Sequence, residues 1–404
     1  MNIIFLTMAQ MDDVETHGIY SDLMRKFRNE GHEVYIVTPR ERRMGKKTCL
    51  YEARGVHFLA VKTLNLQKTN VIEKGVGQVM LESQFKKAIK RYIDGVSFDL
   101  ILYSTPPITF PKVIQYLKAA NPRAKTYLLL KDIFPQNAVD LGMMSKSGVK
   151  GVLYNFFRKK EKMLYALSDF IGCMSPANVQ YLLAHNPEIN PAKVELAPNS
   201  YEYVEQEVLL KDDCDVIRNK YGLPIDRILF IYGGNMGKPQ GIPFLIECLN
   251  ANAQRKDCHF VIVGDGTEYP KLNAWFKSAN PKCVSIFKRL PKEDYDRLVK
   301  ASDVGLIFLD YRFTIPNYPS RLLPYLMEKK PIIAATDPNS DIGSIAEKNG
   351  YGYWCPSNNV LAFTQCLDKM INSNIAQMGE NGFQFYLNNY TVEHTYNAIV
   401  KHYV

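Results

Sequence analysis

The chain has 404 residues, of which 46% are hydrophobic, and carries a formal net charge of +9 at pH 7. That length exceeds what one hydrophobic core supports, so two domains are expected. The positive charge favours a negatively charged partner, namely a nucleotide, a nucleic acid or an anionic membrane. Eight cysteines are scattered without a CxxC pair, and seven histidines show no metal-ligand spacing. We therefore expect reduced thiols in a cytoplasmic protein that binds no metal.

The N-terminal apolar segment is short and lacks a basic flank, so a signal peptide is not expected there. No run of about 18 apolar residues follows, and we expect no membrane-spanning helix. Any association with a membrane is then expected to be peripheral.

The first half of the chain alternates predicted strands and helices. Ile3–Thr7, a helix over Ile19–Asn29 and Val34–Thr38 form an opening βαβ unit. The further strands predicted in this half are His57–Val61, Asp99–Tyr103, Thr126–Leu130, Phe170–Met174 and Val194–Ala197, with helices over Val76–Ile93 and Lys150–Leu167. Ser175 and Pro176 are expected to start one more helix as its cap and first residue.

Polar residues and prolines directly follow two of these strands. Asp99–Tyr103 leads into Ser104-Thr105-Pro106-Pro107, and Thr126–Leu130 leads into Lys131 and Asp132. Prolines restrict a loop's backbone, and open α/β sheets bind ligands at the carboxyl ends of their strands. Asp132 is therefore a candidate site residue, with the alternative that it caps the helix that follows.

The helix predicted over Lys150–Leu167 is basic and amphipathic. Its apolar residues include Val152 and Phe156, and its basic residues include Arg158 and Lys159. Such a helix can lie on an anionic membrane. It can equally pack on the core with a solvated basic face, and both interpretations stay open.

The domain boundary is predicted within Tyr201–Leu223, which is polar and has no clear periodicity. We expect an N-terminal domain over 1–203, a second domain over 204–388, and a C-terminal helix over 389–404 that could pack on either. Asp213-Cys214-Asp215 is formally a DxD sequence. Because it does not end a strand, we interpret it as a chance match.

The second half opens on the most informative segment, Ile228–Gly241. A buried strand runs into Gly233, Gly234 and Gly237, and a helix start follows. Glycines let backbone N–H groups approach a ligand, and a helix N-terminus attracts anions. With Lys238 inside the turn, we predict a diphosphate site, the alternative being an ordinary βα turn.

The same alternation continues to the C-terminus. Strands are predicted at Phe260–Val263, Val284–Phe287, Val304–Leu309, Pro331–Ala335 and Gly350–Trp354. Helices are predicted over Pro291–Ala301 and Asn389–Tyr403, and another helix is predicted to end at Leu326. The predicted fold class is α/β, with two doubly wound, Rossmann-like domains facing a cleft.

The ordered motifs of the whole chain resemble those of family 4 glycosyltransferases of the GT-B fold. The motifs that carry this resemblance are GHEVYIVTP at Gly31, STPP at Ser104, KDIFPQ at Lys131, PNS at Pro198, YGGNMGKPQG at Tyr232, VGDG at Val263, ASDVGLI at Ala301 and YPSRLLPYLMEKKPIIA at Tyr318. The chain is most similar to the bacterial capsule, O-antigen and exopolysaccharide members.

This resemblance implies a retaining hexosyl- or N-acetylhexosaminyltransferase that needs no cofactor or metal. The C-terminal domain would hold a nucleotide-diphosphate sugar, with a UDP-sugar favoured, and the N-terminal domain a lipid-linked saccharide at the inner face of the cell membrane. The implied donor-binding residues are Gly233, Gly234, Asn235, Lys238, Gly264, Asp265, Gly266, Arg289, Leu290, Ser320 and Arg321. Asp132, Lys131 and Lys238 would be catalytic, and Gly18, Thr105 and Pro106 would line the acceptor side.

The sequence departs from the family pattern at four positions. Asn235 and Gln240 stand where many members have Arg and Lys, and Pro316 and Pro324 replace the two glutamates of the E-x7-E motif. The second glutamate usually holds the donor's ribose. These losses leave open a non-catalytic partner that binds a nucleotide sugar or another transferase. An epimerase of the same fold would need clustered carboxylates and histidines, but the histidines here are dispersed. Nucleic-acid binding would need aromatic residues interleaved with the basic ones along one stripe, which the sequence does not show.

Overall fold

A computed structural model of the chain describes residues 1–66, 71–205 and 210–403. They form two compact units. Unit 1 comprises Met1–Glu202 and Thr391–Val404, and unit 2 comprises Tyr203–Tyr390. The boundaries thus lie within two residues of those expected at 203 and 389.

Unit 1 is built on an eight-stranded sheet. Its strands are β1 Asn2–Leu6, β2 Glu33–Glu41, β3 Cys49–Ala53, β4 Val56–Thr63, β5 Leu100–Ser104, β6 Lys125–Leu130, β7 Phe170–Cys173 and β8 Val194–Leu196. Their order is β3-β4-β2-β1-β5-β6-β7-β8, and β3 alone pairs antiparallel. The chain adds β2–β4 on one side of β1 and β5–β8 on the other, so the strand order reverses between β1 and β5, which pair directly.

Helices cover both faces of this sheet. They are α1 Ile19–Asn29, α2 Val71–Tyr92, α3 Pro111–Ala120, α4 Gln136–Asp140, α5 Gly148–Leu167 and α6 Pro176–His185. Phe85, Val113 and Leu164, from α2, α3 and α5, share one core, whereas Phe27 of α1 lies in the core on the other face. Ser175 caps α6 by accepting from the N–H of Asn178, as predicted.

Unit 2 contains a six-stranded, wholly parallel sheet. Its strands are β9 Ile228–Asn235, β10 Cys258–Asp265, β11 Val284–Phe287, β12 Val304–Phe308, β13 Ile332–Thr336 and β14 Gly352–Pro356. The order is β11-β10-β9-β12-β13-β14. The winding therefore reverses between β9 and β12, which is where such sheets bind ligands at their carboxyl edge.

The helices of the second half follow in chain order. They are α7 Lys211–Lys220, α8 Ile242–Ala251, α9 Tyr269–Ala279, α10 Lys292–Lys300, α11 Leu322–Met327, α12 Ile342–Lys348, α13 Val360–Ile371, α14 Ile375–Asn389 and α15 Val392–Val400. The last of them returns to unit 1, where the Tyr396 ring lies 5.0 Å from that of Phe27.

The predicted fold class, two doubly wound α/β domains, is confirmed. Other details of the prediction were incomplete or wrong. Strand β3 and helices α3, α9, α12, α13 and α14 were not foreseen, whereas the C-terminal helix predicted over Asn389–Tyr403 is α15. The supposed linker contains α7, because Ile217 is buried and anchors it. No described helix is both long and apolar enough to cross a membrane.

The DxD sequence lies at the start of α7 and serves that helix. The Asp213 carboxylate accepts the backbone N–H of Leu210 at 3.1 Å. It therefore satisfies a donor at the helix N-terminus, which agrees with the interpretation of a chance match.

Candidate active site

The glycine turn of unit 2 lies at the carboxyl end of β9, where the strand order reverses. β9 and β10 end together, with Gly234 opposite Gly264 and Asn235 opposite Asp265. Gly234 has φ 126° and Gly264 has φ 155°, conformations that favour glycine. A Cβ on Gly264 would overlap the carbonyl oxygen of Gly234. The two predicted donor segments are therefore brought together with their backbones in contact.

Hydrogen bonds fix the backbone of these two segments. The N–H of Met236 donates to the Asp265 carbonyl at 2.9 Å, and the N–H of Glu268 donates to the Met236 carbonyl at 2.9 Å. The Asp265 carboxylate accepts from Gly266 N–H at 2.8 Å. Gly234, Asn235 and Asp265 nevertheless have exposed surfaces, so a ligand can reach the turn.

Asn235 and Gln240, which stand where the resembled family has a basic pair, contact each other. The Gln240 Oε1 accepts from Gly237 N–H at 3.0 Å and from Asn235 Nδ2 at 3.3 Å. Lys238 stays exposed in the short 3-10 turn between them. Lys238 is thus the cation of this turn, and α8 begins directly after Gly241.

Arg321 approaches the glycine turn from the start of α11. Its guanidinium lies over the Tyr232 ring, 4.6 Å from the centroid, and Nη2 is 3.5 Å from where a Cβ on Gly234 would be. Nη1 is buried and has no hydrogen-bond partner in the described part of the chain. Burial opposes the charge, but neighbouring tyrosines outweigh it and raise the pKa of Arg321.

Three tyrosines surround this guanidinium, and the sequence analysis missed their role. Tyr325 donates to the Ile231 carbonyl at 3.1 Å, and Tyr232 donates to the Asn235 carbonyl at 3.0 Å. Tyr295, on α10, packs so closely that any Cβ on Gly233 would overlap it. Among the described residues, no salt bridge joins a carboxylate to Arg321, so its charge is not neutralised.

The remaining predicted donor residues differ in how near the glycine turn they lie. Ser320 directly precedes Arg321 and is partly buried. Arg289 and Leu290 follow β11, which β10 separates from β9. Arg289 is exposed. Ser320 thus adjoins the arginine that reaches the turn, whereas Arg289 and Leu290 follow the edge strand of the sheet.

In unit 1 the predicted residues from two loops are tied together by Thr105. Its Oγ1 donates to the Asp132 carbonyl at 3.1 Å and accepts from Lys131 N–H at 3.1 Å. The loops after β5 and β6 therefore form one surface at the carboxyl edge of the sheet. Pro106, which follows Thr105, is exposed.

Asp132 and Lys131 differ in what their charged ends contact. The Asp132 carboxylate accepts from Asn137 Nδ2 at 2.7 Å, and burial raises its pKa to about 6. The cap position of α4 belongs to Pro135, without a side-chain cap, so the capping alternative was wrong. Lys131 Nζ donates to the Ala197 carbonyl at 2.9 Å, and burial lowers its pKa to about 7.

Gly18 starts α1 beside a buried ionic cluster that the sequence analysis also missed. Its N–H donates to Asp22 Oδ1 at 3.0 Å. Asp22 is fully buried and also contacts Arg25 at 2.9 Å and His17 at 2.7 Å. Its Oδ2 accepts from Glu202 N–H at 2.9 Å. The spacing of Asp22 and Arg25 on one helix face was the visible signal.

The comparisons with known proteins agree with this geometry. Residues 213–385 match the family model described as "Glycosyl transferases group 1". The matched residues lie within unit 2. The chain is 23% identical over 323 residues to the probable glycosyltransferase WbjE of Pseudomonas aeruginosa, covering 77% of this chain and 75% of that protein. It is 25% identical over 153 residues, 37% of each chain, to the putative colanic acid biosynthesis glycosyl transferase WcaI of Escherichia coli K12.

A solved structure with a similar fold covers nearly the whole chain. Anabaena HepE in complex with UDP superposes with a TM-score of 0.69 at 13% identity, over 100% of this chain and 99% of that one. The architecture is the GT-B fold, in which two doubly wound α/β units follow one another in the chain.

Unit 2 gathers Gly233, Gly234, Asn235, Gly264–Gly266 and Arg321 at its topological switch point. Within the described ranges, no group of three or more His, Cys, Asp or Glu side chains could hold a metal ion. Lys238 and Arg321 supply positive charge at the turn, where the exposed Asp265 carboxylate also lies.

Proposed function

We propose that the protein is a retaining glycosyltransferase that moves a sugar from a nucleotide-diphosphate donor to a lipid-linked saccharide. The observation that carries this proposal is Arg321. A buried guanidinium without a carboxylate partner is costly, and it lies against exposed glycine backbone at the switch point of a parallel sheet. A diphosphate group would supply the missing negative charge.

The chemistry follows from the charge that develops in the transition state. Breaking the bond between sugar and diphosphate places negative charge on the leaving phosphate oxygen. Arg321, Lys238 and the N–H groups of the turn would stabilise that oxygen. In a retaining transfer of this type, the leaving phosphate would accept the proton of the acceptor hydroxyl, so no separate protein nucleophile and no metal are required.

We propose a UDP-sugar of hexose or N-acetylhexosamine as the donor and a surface-polysaccharide precursor as the acceptor. The UDP complex of HepE and the names of WbjE and WcaI support these assignments. On the acceptor side, Asp132, Thr105, Pro106 and Gly18 would contact the saccharide. With its pKa near 6, the Asp132 carboxylate is charged at neutral pH. It can accept a hydrogen bond from a hydroxyl group of the saccharide.

A peripheral position at the cytoplasmic membrane face is part of the proposal. On α5, Phe157 and Leu164 are buried, but Val152 is 72% exposed, Leu153 48% and Phe156 39%. Exposed Lys150 and Lys159 lie on the same helix. Apolar and basic side chains on one helix suit an anionic bilayer surface.

The donor assignment is tested by thermal shift with UDP, GDP, CDP and dTDP, with and without EDTA. We expect UDP to raise the melting temperature equally in both conditions. Arg321→Ala should abolish the shift, and Arg312→Ala, an exposed arginine of the same loop paired with Asp310, should keep it. A shift that requires divalent metal would contradict metal-free binding, and no shift with any nucleotide would contradict the donor site.

The membrane assignment is tested by co-sedimentation with phosphatidylcholine vesicles that contain or lack phosphatidylglycerol. Val152→Ser with Phe156→Ser should release the protein from anionic vesicles. Leu361→Ser is the matched control, because Leu361 is 68% exposed on α13 of unit 2. Equal binding by all variants would contradict a role for α5.

A non-catalytic nucleotide-sugar-binding partner is the second candidate function. Gln240 and Asn235 bond to each other where the family has basic residues, and prolines occupy positions 316 and 324. Release of UDP from a UDP-sugar, dependent on a lipid-linked saccharide, distinguishes the enzyme from this binder.

A further inference from the structure

The turn that follows β13 is organised by one fully buried carboxylate. Asp337 Oδ1 accepts from the N–H groups of Asn339 and Ser340, each at 2.9 Å, and Oδ2 accepts from Ser340 Oγ at 2.9 Å. Asp337 is 0% exposed. Three hydrogen bonds to one carboxylate fix the backbone of residues 337–340, here called the Asp337 turn.

The Asp337 turn holds the chain segment that leads to Arg321. Ser340 Oγ accepts from Asn317 N–H at 2.9 Å, and Asn339 Nδ2 donates to the Phe313 carbonyl at 2.7 Å. β13 lies beside β12 in the sheet, so the turn after one strand contacts the segment after the other. Residues 313–321, here called the donor loop, are thus attached at two points four residues apart.

We infer that the Asp337 turn positions Arg321 for the donor's diphosphate, with Ser340 as the linking residue. This inference rests on the proposed function. The guanidinium Nη1 has no hydrogen-bond partner of its own in the described chain. Its position is therefore set by the Tyr232 ring and by the backbone that precedes α11.

The path from Ser340 to Arg321 is short and restricted. Only three residues separate Asn317 from Arg321, and one of them is Pro319, whose φ is fixed. The preceding Tyr318 is buried and its hydroxyl contacts that of Tyr390. A displacement of Asn317 is therefore transmitted to Arg321 rather than absorbed between them.

A merely structural hydroxyl would affect stability but not the ligand affinity of the folded protein. Ser302 provides the matched control. It is 1% exposed, and its Oγ donates to the Leu298 carbonyl at 2.8 Å, just before β12 begins and away from the carboxyl edge. Ser340→Ala and Ser302→Ala each remove one buried hydroxyl from the same unit.

The experiment compares dissociation constants of UDP and of inorganic pyrophosphate, measured by calorimetry well below the melting temperature. We expect Ser340→Ala to weaken both by roughly fivefold, the size of one lost hydrogen bond, and Ser302→Ala to leave both unchanged. Asp337→Asn, which keeps the side-chain volume, should behave like Ser340→Ala and replaces it if the latter does not fold.

A double-mutant cycle with Arg321→Ala identifies the route of the effect. If Ser340 acts through Arg321, Ser340→Ala should have no further effect on affinity in the Arg321→Ala background. Amide exchange of residues 313–317 should also accelerate in Ser340→Ala and not in Ser302→Ala. Additive effects, or equal losses from both serine variants, would overturn the inference alone. A wild-type protein that binds neither ligand would overturn the proposed function and the inference with it.

Discussion

The guanidinium carbon of Arg321 lies 4.6 Å from the centre of the Tyr232 ring, although three strands and three α-helices separate the two residues in the chain. Tyr232 belongs to β9, immediately before the two glycines, and Arg321 precedes α11. Stacking on an aromatic face holds an arginine in place without cancelling its charge. The pair therefore presents a positioned cation to the glycine turn.

Removal of the Arg321 guanidinium should weaken transition-state stabilisation. We expect Arg321→Ala to lower kcat/KM by the equivalent of about 2–4 kcal/mol, because the charge on the leaving diphosphate would lose its buried partner. Arg321→Lys should restore part of this loss. Arg312→Ala, from the segment just before the donor loop, is the control and should be near wild type in a UDP-release assay.

The Tyr232 ring and its hydroxyl should be separable by substitution. Tyr232→Phe keeps the stacking face and loses the bond to the Asn235 carbonyl, whereas Tyr232→Leu loses the stack. We expect UDP affinity to fall more in Tyr232→Leu, by about 1 kcal/mol. Calorimetry on both variants tests this, and equal affinities would show that stacking does not position Arg321.

Lys238 should act as a second, exposed cation at the diphosphate. We expect Lys238→Ala to lower kcat/KM by about 2–4 kcal/mol. The loss should shrink at high salt, because exposed charges are screened. Lys277→Ala, an exposed lysine on α9, is the control. Near-wild-type turnover in both Lys238→Ala and Arg321→Ala would refute the assignment of the phosphate site.

The sequence indicated the strands and turns of the site but not the side chains that surround Arg321. β9 and the glycine turn form from neighbouring residues, so apolar runs and glycines reveal them. Tyr295 and Tyr325 come from α10 and α11, and only tertiary packing brings Tyr295 to Gly233 and Tyr325 to the Ile231 carbonyl.

The same limit explains the errors elsewhere. Helix α7 has a polar composition because only Ile217 and Arg218 of its residues are buried, so its pattern did not indicate a helix. The ionic cluster at Asp22 requires Glu202, 180 residues further along the chain. Contacts of that separation leave no local periodicity for a sequence to display.

Asp132 should matter more for turnover than for folding. Asp132→Asn keeps the volume of the side chain and can still accept from Asn137 Nδ2, so we expect a small change in stability and a large fall in kcat. Wild-type kcat should also fall as the pH drops through about 6, where the carboxyl takes up its proton. If Asp132→Asn unfolds and the wild-type kcat shows no such pH dependence, Asp132 has a structural role.

Lys131 should make the stability of the protein depend on pH above neutrality. Burial lowers its pKa from 10.5 to about 7, so between these values the unfolded chain binds a proton that the folded chain does not. Stability from this group therefore rises with pH over that window, and the full penalty applies below about 7. Lys131→Met removes the penalty. The variant should therefore gain more stability over the wild type at neutral pH than near pH 10.

Comparing the two pH values separates this effect from the lost hydrogen bond to the Ala197 carbonyl, which costs the same at both. Urea unfolding of the wild type and of Lys131→Met gives the four free energies that are needed. Lys193→Met is the control for bond loss, because that amine likewise donates to a backbone carbonyl, of Ser168, at 3.1 Å. If the Lys131→Met difference does not change with pH, the lysine is charged in the folded protein and its amine is solvated at the acceptor edge of unit 1.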